Sequence, residues 1–401
     1  MNTESKRTAQ LAFRFVLVVG IANLFADLTY EGARSVVGPF LGSLGASATV
    51  IGFVAGLGEL AGYGLRSISG YFADKSRKYW LTAFVGYAIN MLAVPALALA
   101  GNWPMAAMLI VAERTGRAIR KPAVQSMLAE AGETIGHGWV FGLNEALDQT
   151  GATIGPLIVA YVLYRHGGYR HGFAVLLASA LACLAVLIVA MILHPGRTRA
   201  ETNGAASHAS KHFTRSYWLY AAAGALIAAG FADFSLIAYH FQKTGTVQQS
   251  MIPVYYAAAM ATGAVASLVL GKLLDKFGLP VVLAGFGIAA FFAPLVFLKS
   301  APWELAGMIL WGIGMGAQDS FLKALLAPVV PKERRGTAFG VFDSVFGVAW
   351  FAGSAIMGLL YAKSIMVLVI FSVVLQLLAL PVFALETNLR RRNPADRSAQ
   401  A

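Results

Sequence analysis

The sequence predicts an all-α integral membrane fold: twelve transmembrane helices in two pseudo-symmetric six-helix bundles. Three observations lead there. The first is the scarcity of charge. Of 401 residues, 58% are hydrophobic and 12% are charged, 31 Lys+Arg against 19 Asp+Glu, about half the charge of a soluble domain. That composition excludes an ordinary soluble enzyme. The second is a series of apolar runs, each near the length of about 20 residues that crosses a bilayer. They fall at approximately 13–40, 46–70, 80–100, 104–125, 138–164, 172–193, 216–242, 250–271, 279–299, 304–327, 336–361 and 364–385. The third is an internal repeat, described below.

Each run is justified by what it holds and what bounds it. Span 1 is too long for a secretory signal and contains Asp27, Glu31 and Arg34, so it is expected to be retained as a helix. Span 2 holds Glu59 and Arg66 and ends in the polar loop Asp74-Lys75-Ser76-Arg77-Lys78. Span 3 has no charge. Span 4 holds Glu113, Arg114 and Arg117, and span 5 holds Glu145 and Asp148; span 6 is uncharged but contains Cys183, the single cysteine. One cysteine excludes a disulfide framework and a cysteine-based metal cluster. The segment from about His194 to Arg215, polar and basic, reads as a flexible linker. Span 7 holds Asp233 and His240, span 10 holds Asp319 and Lys323, and span 11 holds Asp343; spans 8, 9 and 12 have uncharged interiors. The expected domains are therefore a bundle over 1–194, a cytoplasmic linker over 195–215, a second bundle over 216–386 and a basic cytoplasmic tail over 387–401.

Orientation follows from Lys and Arg in the short loops. Eighteen fall on the side that carries both termini and the linker, and five (Arg165, Arg170, Lys243, Lys299, Lys363) on the other. Both termini are thus expected in the cytoplasm, in a multi-pass protein of the cell (inner or plasma) membrane. The net charge of +12 is read as this topology signal and not as a nucleic-acid surface.

The halves repeat. Phe25-Ala26-Asp27 matches Phe231-Ala232-Asp233, Gly70 to Asp74 matches Gly271 to Asp275, and Phe141-Gly142 with Glu145 matches Phe339-Gly340 with Asp343. Duplicated bundles are the usual build of secondary transporters. Intramembrane ionisable groups cost several kcal/mol unless paired or hydrated, so they mark the helices that face a cavity. Spans 3, 6, 9 and 12 are then expected on the outside of the bundles. Asp27, Glu31 and Arg34 form one stripe at i, i+4, i+7, and Arg114, Arg117 and Lys121 another at i, i+3, i+7; stripes of opposite dominant sign should meet. On this reading Asp27 has Arg34 or Arg114 as its partner. The surplus of acids over bases in the helices suits proton carriage or a cationic substrate.

Gly70-Tyr71-Phe72-Ala73-Asp74-Lys75-Ser76-Arg77-Lys78 resembles the loop motif between spans 2 and 3 of the major facilitator superfamily (MFS), and the likeness covers essentially the whole chain. Its first glycine, its aspartate and its terminal basic pair are present, while the internal glycine is replaced within Ser76-Arg77. Gly271-Lys272-Leu273-Leu274-Asp275-Lys276-Phe277-Gly278 is the counterpart, with that glycine kept. The resemblance implies that Gly70, Asp74, Arg77, Lys78, Gly271 and Asp275 form a cytoplasmic gate. Arg114-Thr115-Gly116 is similar to the family's span-4 motif, whose arginine is associated with proton coupling. Gly151-Ala152-Thr153-Ile154-Gly155-Pro156 resembles the G-x-x-x-G-P motif of drug and metabolite antiporters, so Gly151, Gly155 and Pro156 point to that branch; the paired glycine that often follows is replaced by Val159 and Ala160.

The expected function is secondary active transport of a small organic solute by alternating access about a site among spans 1, 4, 7 and 10, as proton-coupled efflux (antiport). The cavity and coupling residues expected are Asp27, Glu31, Arg34, Arg114, Arg117, Glu145, Asp148, Asp233, Asp319, Lys323 and Asp343. In the expected cycle a proton on Asp27 loosens its attraction to Arg114. Proton symport or facilitated uptake of an organic anion stays open, as do divalent-metal transport and a non-transporting receptor. No nucleophile and base grouping or phosphate-cradling loop speaks for an enzyme. The expected partners are a small-molecule substrate, protons and the lipid bilayer, with no nucleic acid and the chain as a monomer. No cofactor is expected beyond the proton gradient as energy source, and no metal, since no linear spacing supports one.

Overall fold

The computed structural model describes residues 3–165, 167–194, 213–299, 302–326, 329–330 and 335–392; side chains at 3–6, 74, 137–138, 275, 319–320, 323–324, 335–337 and 387–392 are not among what it describes. The expected linker over 195–215 and tail over 387–401 thus lie largely outside the described residues.

Among the described residues there are fourteen α-helices and no strand. They are α1 (Thr3–Ser43), α2 (Ala48–Ser76), α3 (Tyr79–Ala96), α4 (Trp103–Ile135), α5 (His137–Tyr164), α6 (Tyr169–Leu193), α7 (Arg215–Gly230), α8 (Phe234–Thr244), α9 (Ile252–Phe277), α10 (Leu279–Ala289), α11 (Phe292–Leu298), α12 (Trp303–Leu326), α13 (Arg335–Lys363) and α14 (Ile365–Arg392). The twelve expected spans account for all of them, because span 7 is split into α7 and α8 and span 9 into α10 and α11. Among the described residues, ten of the spans are long and apolar enough to cross a membrane. Of the two others, α4 packs Glu113, Arg114, Arg117, Arg120 and Lys121 into one stretch, and part of α12 lies outside the described side chains.

Helix is the backbone state that an apolar segment can adopt in lipid, because it satisfies its own N–H and C=O groups. The ends are set locally. Asn102 caps α4 by accepting the Met105 N–H at 3.0 Å, and Thr214 caps α7 by accepting that of Tyr217 at 3.2 Å. Prolines 39, 95, 122, 156 and 381 lie inside helices and do not end them, as is common where neighbouring helices take up the freed carbonyls.

Span 7 breaks at the repeated Phe-Ala-Asp, whereas the same triplet in α1 is continuous helix. The break is chemically closed. The Gly230 carbonyl accepts from Ser372 Oγ at 2.6 Å and Gln376 Nε2 at 3.2 Å, and the Ala232 carbonyl accepts from Trp311 Nε1 at 2.9 Å. Asp233 Oδ1 accepts the Ser235 N–H at 2.8 Å and so caps α8.

Contacts divide the chain into two compact units. The first comprises Met1–Ala46, Leu57–Gly204 and Phe241–Ala257. In it α1 packs on α5 and α6, and α3 on α4 and α6, around a core that includes Phe15, Val19, Tyr87, Met91, Met127 and Leu187. The second comprises Ser47–Gly56, Ala205–His240 and Ala258–Ala401. There α7 packs on α13 and α14, and α10 on α12 and α14, so the pairings of the first half recur in the second. Close approach explains the main pair. A Cβ on Gly155 would meet the Leu28 carbonyl and the Gly32 nitrogen, and a Cβ on Gly353 would meet the backbone of Ala229. Small residues let the helices touch through their backbones. The duplication reaches the loops too: α2 ends before Arg77, at φ 54°, and α9 ends before Gly278, at φ 67°. An arginine thus occupies the left-handed position that glycine fills in the second half.

The faces turned out of the bundles are apolar on the uncharged spans, for example Leu181, Ile188 and Ile192 on α6 and Ile370, Val374 and Leu378 on α14. For α6 and α14 this is the exterior that their lack of charge predicted; spans 3 and 9 are as buried as the charged span 2.

Candidate functional site

The ionisable residues of the first unit meet along the contact of α1 with α4. As α1 advances from Asn23 to Arg34, α4 retreats from Arg120 to Arg114, because the two helices run antiparallel. Arg120 Nη1 donates to Asn23 Oδ1 at 3.1 Å, and Nη2 pairs with Asp27 Oδ1 at 3.4 Å. A turn further, the guanidinium of Arg117 lies 4.1 Å and that of Arg114 4.7 Å from the centre of the Tyr30 ring, within cation–π range. Further still, Glu59 of α2 bridges two cations, its Oε1 lying 3.3 Å from Arg34 Nη2 and 3.2 Å from Arg114 Nη2. Glu113 Oε2 is 3.6 Å from Arg114 Nε, and Glu31 Oε2 is 4.0 Å from Arg34 Nη1.

Neutral polar groups complete the network. Asn90 of α3 donates to Glu113 Oε1 at 2.6 Å and accepts from Arg120 Nε at 3.2 Å. Tyr87 donates to Asn23, and Arg120 also lies 4.5 Å from the Tyr87 ring centre. Asn23 donates to Asn144 Oδ1 at 2.6 Å, and Asn144 to Asp148 Oδ2 at 3.1 Å. At the other end Tyr256 donates to Glu31 Oε2 at 2.5 Å. One polar path therefore links Asp148 on α5 to Tyr256 on α9 through side chains of α1, α2, α3 and α4. Its bases are Arg34, Arg114, Arg117 and Arg120, with Lys121 an electrostatic neighbour of Asp148. Its acids are Asp27, Glu31, Glu59, Glu113 and Asp148, so five carboxylates lie among four guanidinium groups.

The structure revises several expectations. The partner of Asp27 is Arg120, not Arg34 or Arg114. Arg34 sits about two turns along α1 from Asp27, level with Arg114 of α4, with which it shares Glu59, and a helix rises about 1.5 Å per residue, so an antiparallel neighbour offers Asp27 a later residue of α4. For the same reason the face of α4 that meets α1 is Arg114, Arg117 and Arg120, not the stripe ending in Lys121. Glu145 is exposed and accepts only from Gln149 Nε2, at 2.8 Å, among the described residues. Asp233 caps a helix, and Asp343 is half-buried on α13. His240 is buried against Tyr361, whose hydroxyl is 2.9 Å from Nδ1. The side chains of Asp74, Asp275, Asp319 and Lys323 lie outside the described residues. No group of three or more His, Cys, Asp or Glu side chains able to hold a metal occurs among the described residues.

Of the gate residues, Gly70 faces Pro122 of α4 at an ordinary contact distance, Gly271 faces open space, and Lys78 is exposed. Gly151 and Gly155 let α5 touch α1 at Leu24, Leu28 and Gly32, with Pro156 inside the same helix. Sequence reasoning missed Arg120, Asn23, Asn90, Asn144, Tyr30, Tyr87 and Tyr256. The available signal was Asn23 and Asn90, each isolated in an apolar run where an amide needs partners.

Nearly the whole chain is similar to known proteins. A model of the Major Facilitator Superfamily matches residues 19–354 and, in a second match, 234–400. An uncharacterized protein of Mycobacterium tuberculosis is 38% identical over 381 residues, 93% of this chain and 93% of its own. An uncharacterized MFS-type transporter of Methanocaldococcus jannaschii is 25% identical over 364 residues, 87% of this chain and 89% of its own. Among solved structures, a bacterial homolog of the human lysosomal transporter Spinster, in an inward-facing and occupied conformation, aligns with a TM-score of 0.75 at 15% identity, over 95% of this chain and 97% of that one. That last likeness is one of fold.

Proposed function

The chain belongs to the major facilitator superfamily, and from that premise we propose that it is a proton-coupled secondary transporter that exports a small organic solute by antiport. The observation behind the coupling is the buried pair of Asp27 and Arg120, 3.4 Å apart within a dense network of acids and arginines. A proton on Asp27 removes the acid from Arg120, which then keeps the neutral Asn23 and Asn90 at 3.1 and 3.2 Å and the Tyr87 ring at 4.5 Å. The contact of α1 with α4 weakens by that amount, and an alternating-access equilibrium shifts by as much as the two states differ in it. The likeness of Gly151 to Pro156 to the antiporter motif supports exchange. The six-helix repeats over 1–194 and 216–386, joined by 195–215, are the moving bodies in this proposal. It places the chain in the cell membrane as a monomer with both termini in the cytoplasm.

Reconstituted protein with an imposed pH gradient tests it. Substrate flux should follow the gradient in the wild type and lose that dependence in Asp27→Asn. Flux that stays fully gradient-driven in Asp27→Asn rejects Asp27 as the coupling site. A second reading, proton symport of an organic anion into the cell, is favoured by one residue, Arg117.

A further inference from the structure

Resting on the transport reading but not on its direction, we propose that Arg117 receives the substrate, and that the substrate is an organic anion presenting a carboxylate or another oxyanion. The other three arginines of the network have their acids. Arg34 pairs with Glu59 at 3.3 Å, Arg114 with Glu59 at 3.2 Å and Arg120 with Asp27 at 3.4 Å. Each of these three is buried, at 5–7% exposure. Arg117 differs on both counts. Among the described residues it forms no ion pair and no hydrogen bond; its Nε is shielded from solvent without an acceptor, a feature it shares with Arg34 Nε and Arg114 Nε. Its guanidinium rests on Tyr30, 4.1 Å from the ring centre, and the residue is only half-buried.

A guanidinium lying on an aromatic ring has one face desolvated while its N–H edge still requires oxygen acceptors. Leaving such donors unmet in a buried setting is costly, and two parallel N–H groups match a carboxylate or phosphate in bidentate fashion. Asp27, Glu31, Glu113 and Glu59 act on Arg117 electrostatically, yet none comes within bridging distance among the described residues. They surround the cation without occupying its edge. Arg114 contacts the same Tyr30 ring, at 4.7 Å from its centre, and adds a second positive charge to the locality. The arginine that is unpaired is also the one that remains accessible, which is the combination a docking group needs.

The test uses the full chain purified in detergent, with no gradient, and four probes of similar size: benzoate, phenylphosphonate, benzyl alcohol and benzyltrimethylammonium. Thermal unfolding and titration calorimetry read binding, since a ligand of the folded state raises Tm in a saturable way. Benzoate or phenylphosphonate should stabilise the wild type, and the alcohol and the cation should not. Arg117→Gln should weaken the anion by roughly tenfold or more. Arg117→Lys, which keeps the charge but not the fork, should fall between. Whichever anion binds more tightly separates carboxylate from phosphate chemistry. The proposal is overturned if only the cation stabilises, if none of the probes does, or if the anion binds Arg117→Gln as it binds the wild type. Should Arg117→Gln fail to fold, undiminished anion binding by Arg117→Lys overturns it equally. Anion binding that survives while gradient-driven flux is absent removes the coupling reading and leaves this one; flux without anion binding does the reverse.

Discussion

Replacing Glu59 by glutamine removes one charge from the most densely paired point of the network while leaving its shape and an acceptor oxygen in place. Glu59 Oε1 lies 3.3 Å from Arg34 and 3.2 Å from Arg114, with all three side chains at or below 10% exposure. At an effective dielectric of about 20, each contact represents roughly 5 kcal/mol of gross Coulomb attraction. Most of that offsets the cost of taking the ions out of water, and breaking a buried pair from one side typically destabilises by about 3–5 kcal/mol. The upper part of that range is expected, because two arginines lose the same acid. What they retain is weaker: Glu31 at 4.0 Å from Arg34 and Glu113 at 3.6 Å from Arg114. Denaturant unfolding in detergent, followed by tryptophan fluorescence, measures the loss. Arg34→Gln alone should cost less, since Glu59 keeps Arg114, and the double variant Arg34→Gln with Glu59→Gln should be at least about 1 kcal/mol more stable than the sum of the singles predicts. A Glu59→Gln protein within about 0.5 kcal/mol of the wild type, or strictly additive singles, would mean that water screens the cluster, and the argument from a dry, dense network would fall.

Three further outcomes follow from the packing. Gly155→Ala and Gly353→Ala should each destabilise by about 1–3 kcal/mol, because the added methyl meets the backbone of Leu28 or Ala229; Gly62→Ala, whose Cβ meets nothing within 4 Å, is the control in the same unfolding assay. Gly278→Ala places a side chain at φ 67° and should lower stability by about 1–2 kcal/mol, whereas Arg77→Gly relieves the same strain at φ 54° and should shift Tm in the opposite direction. Tyr256→Phe removes the hydroxyl that donates to Glu31 at 2.5 Å, and a hydrogen bond to a charged group contributes about 1.5–3 kcal/mol; a Tyr256→Phe loss that persists undiminished in a Glu31→Gln background would show that the two residues do not act together.

Much of the site was legible in order but not in pairing. The positions of Asp27, Glu31 and Arg34 identify one face of α1, and Arg114 and Arg117 identify the facing side of α4, because helical periodicity is a property of spacing alone. Which residue meets which depends on the axial register of two antiparallel helices, and that register is set where Gly86 and Gly116 let α3 approach α4 and where Gly151 and Gly155 let α5 approach α1. A shift of one turn would give Asp27 a different arginine. Arg120 escaped notice because it stands beside Lys121 and Pro122 near the end of its apolar run, where a basic residue reads as a loop signal. Tyr256 escaped because an aromatic residue near the start of an apolar helix is ordinary; only its hydroxyl against Glu31 distinguishes it. The triplet Phe-Ala-Asp is identical in both halves, yet it is continuous helix in α1 and a break between α7 and α8. The difference lies in Ser372, Gln376 and Trp311, which satisfy the carbonyls at the break and stand far from it in the chain.

Charge scarcity, run length and the repeat by themselves determined a helical membrane protein of twelve spans, because the cost of burying backbone and charge in lipid acts on each segment separately. The motifs added the family. Only the tertiary structure decided that Asp27 belongs to Arg120, that Glu59 serves two arginines, and that Arg117 keeps its edge unpaired among the described residues. Those are interactions between helices, whose energy depends on distance and register to within a few ångströms, and no spacing along a single chain encodes that.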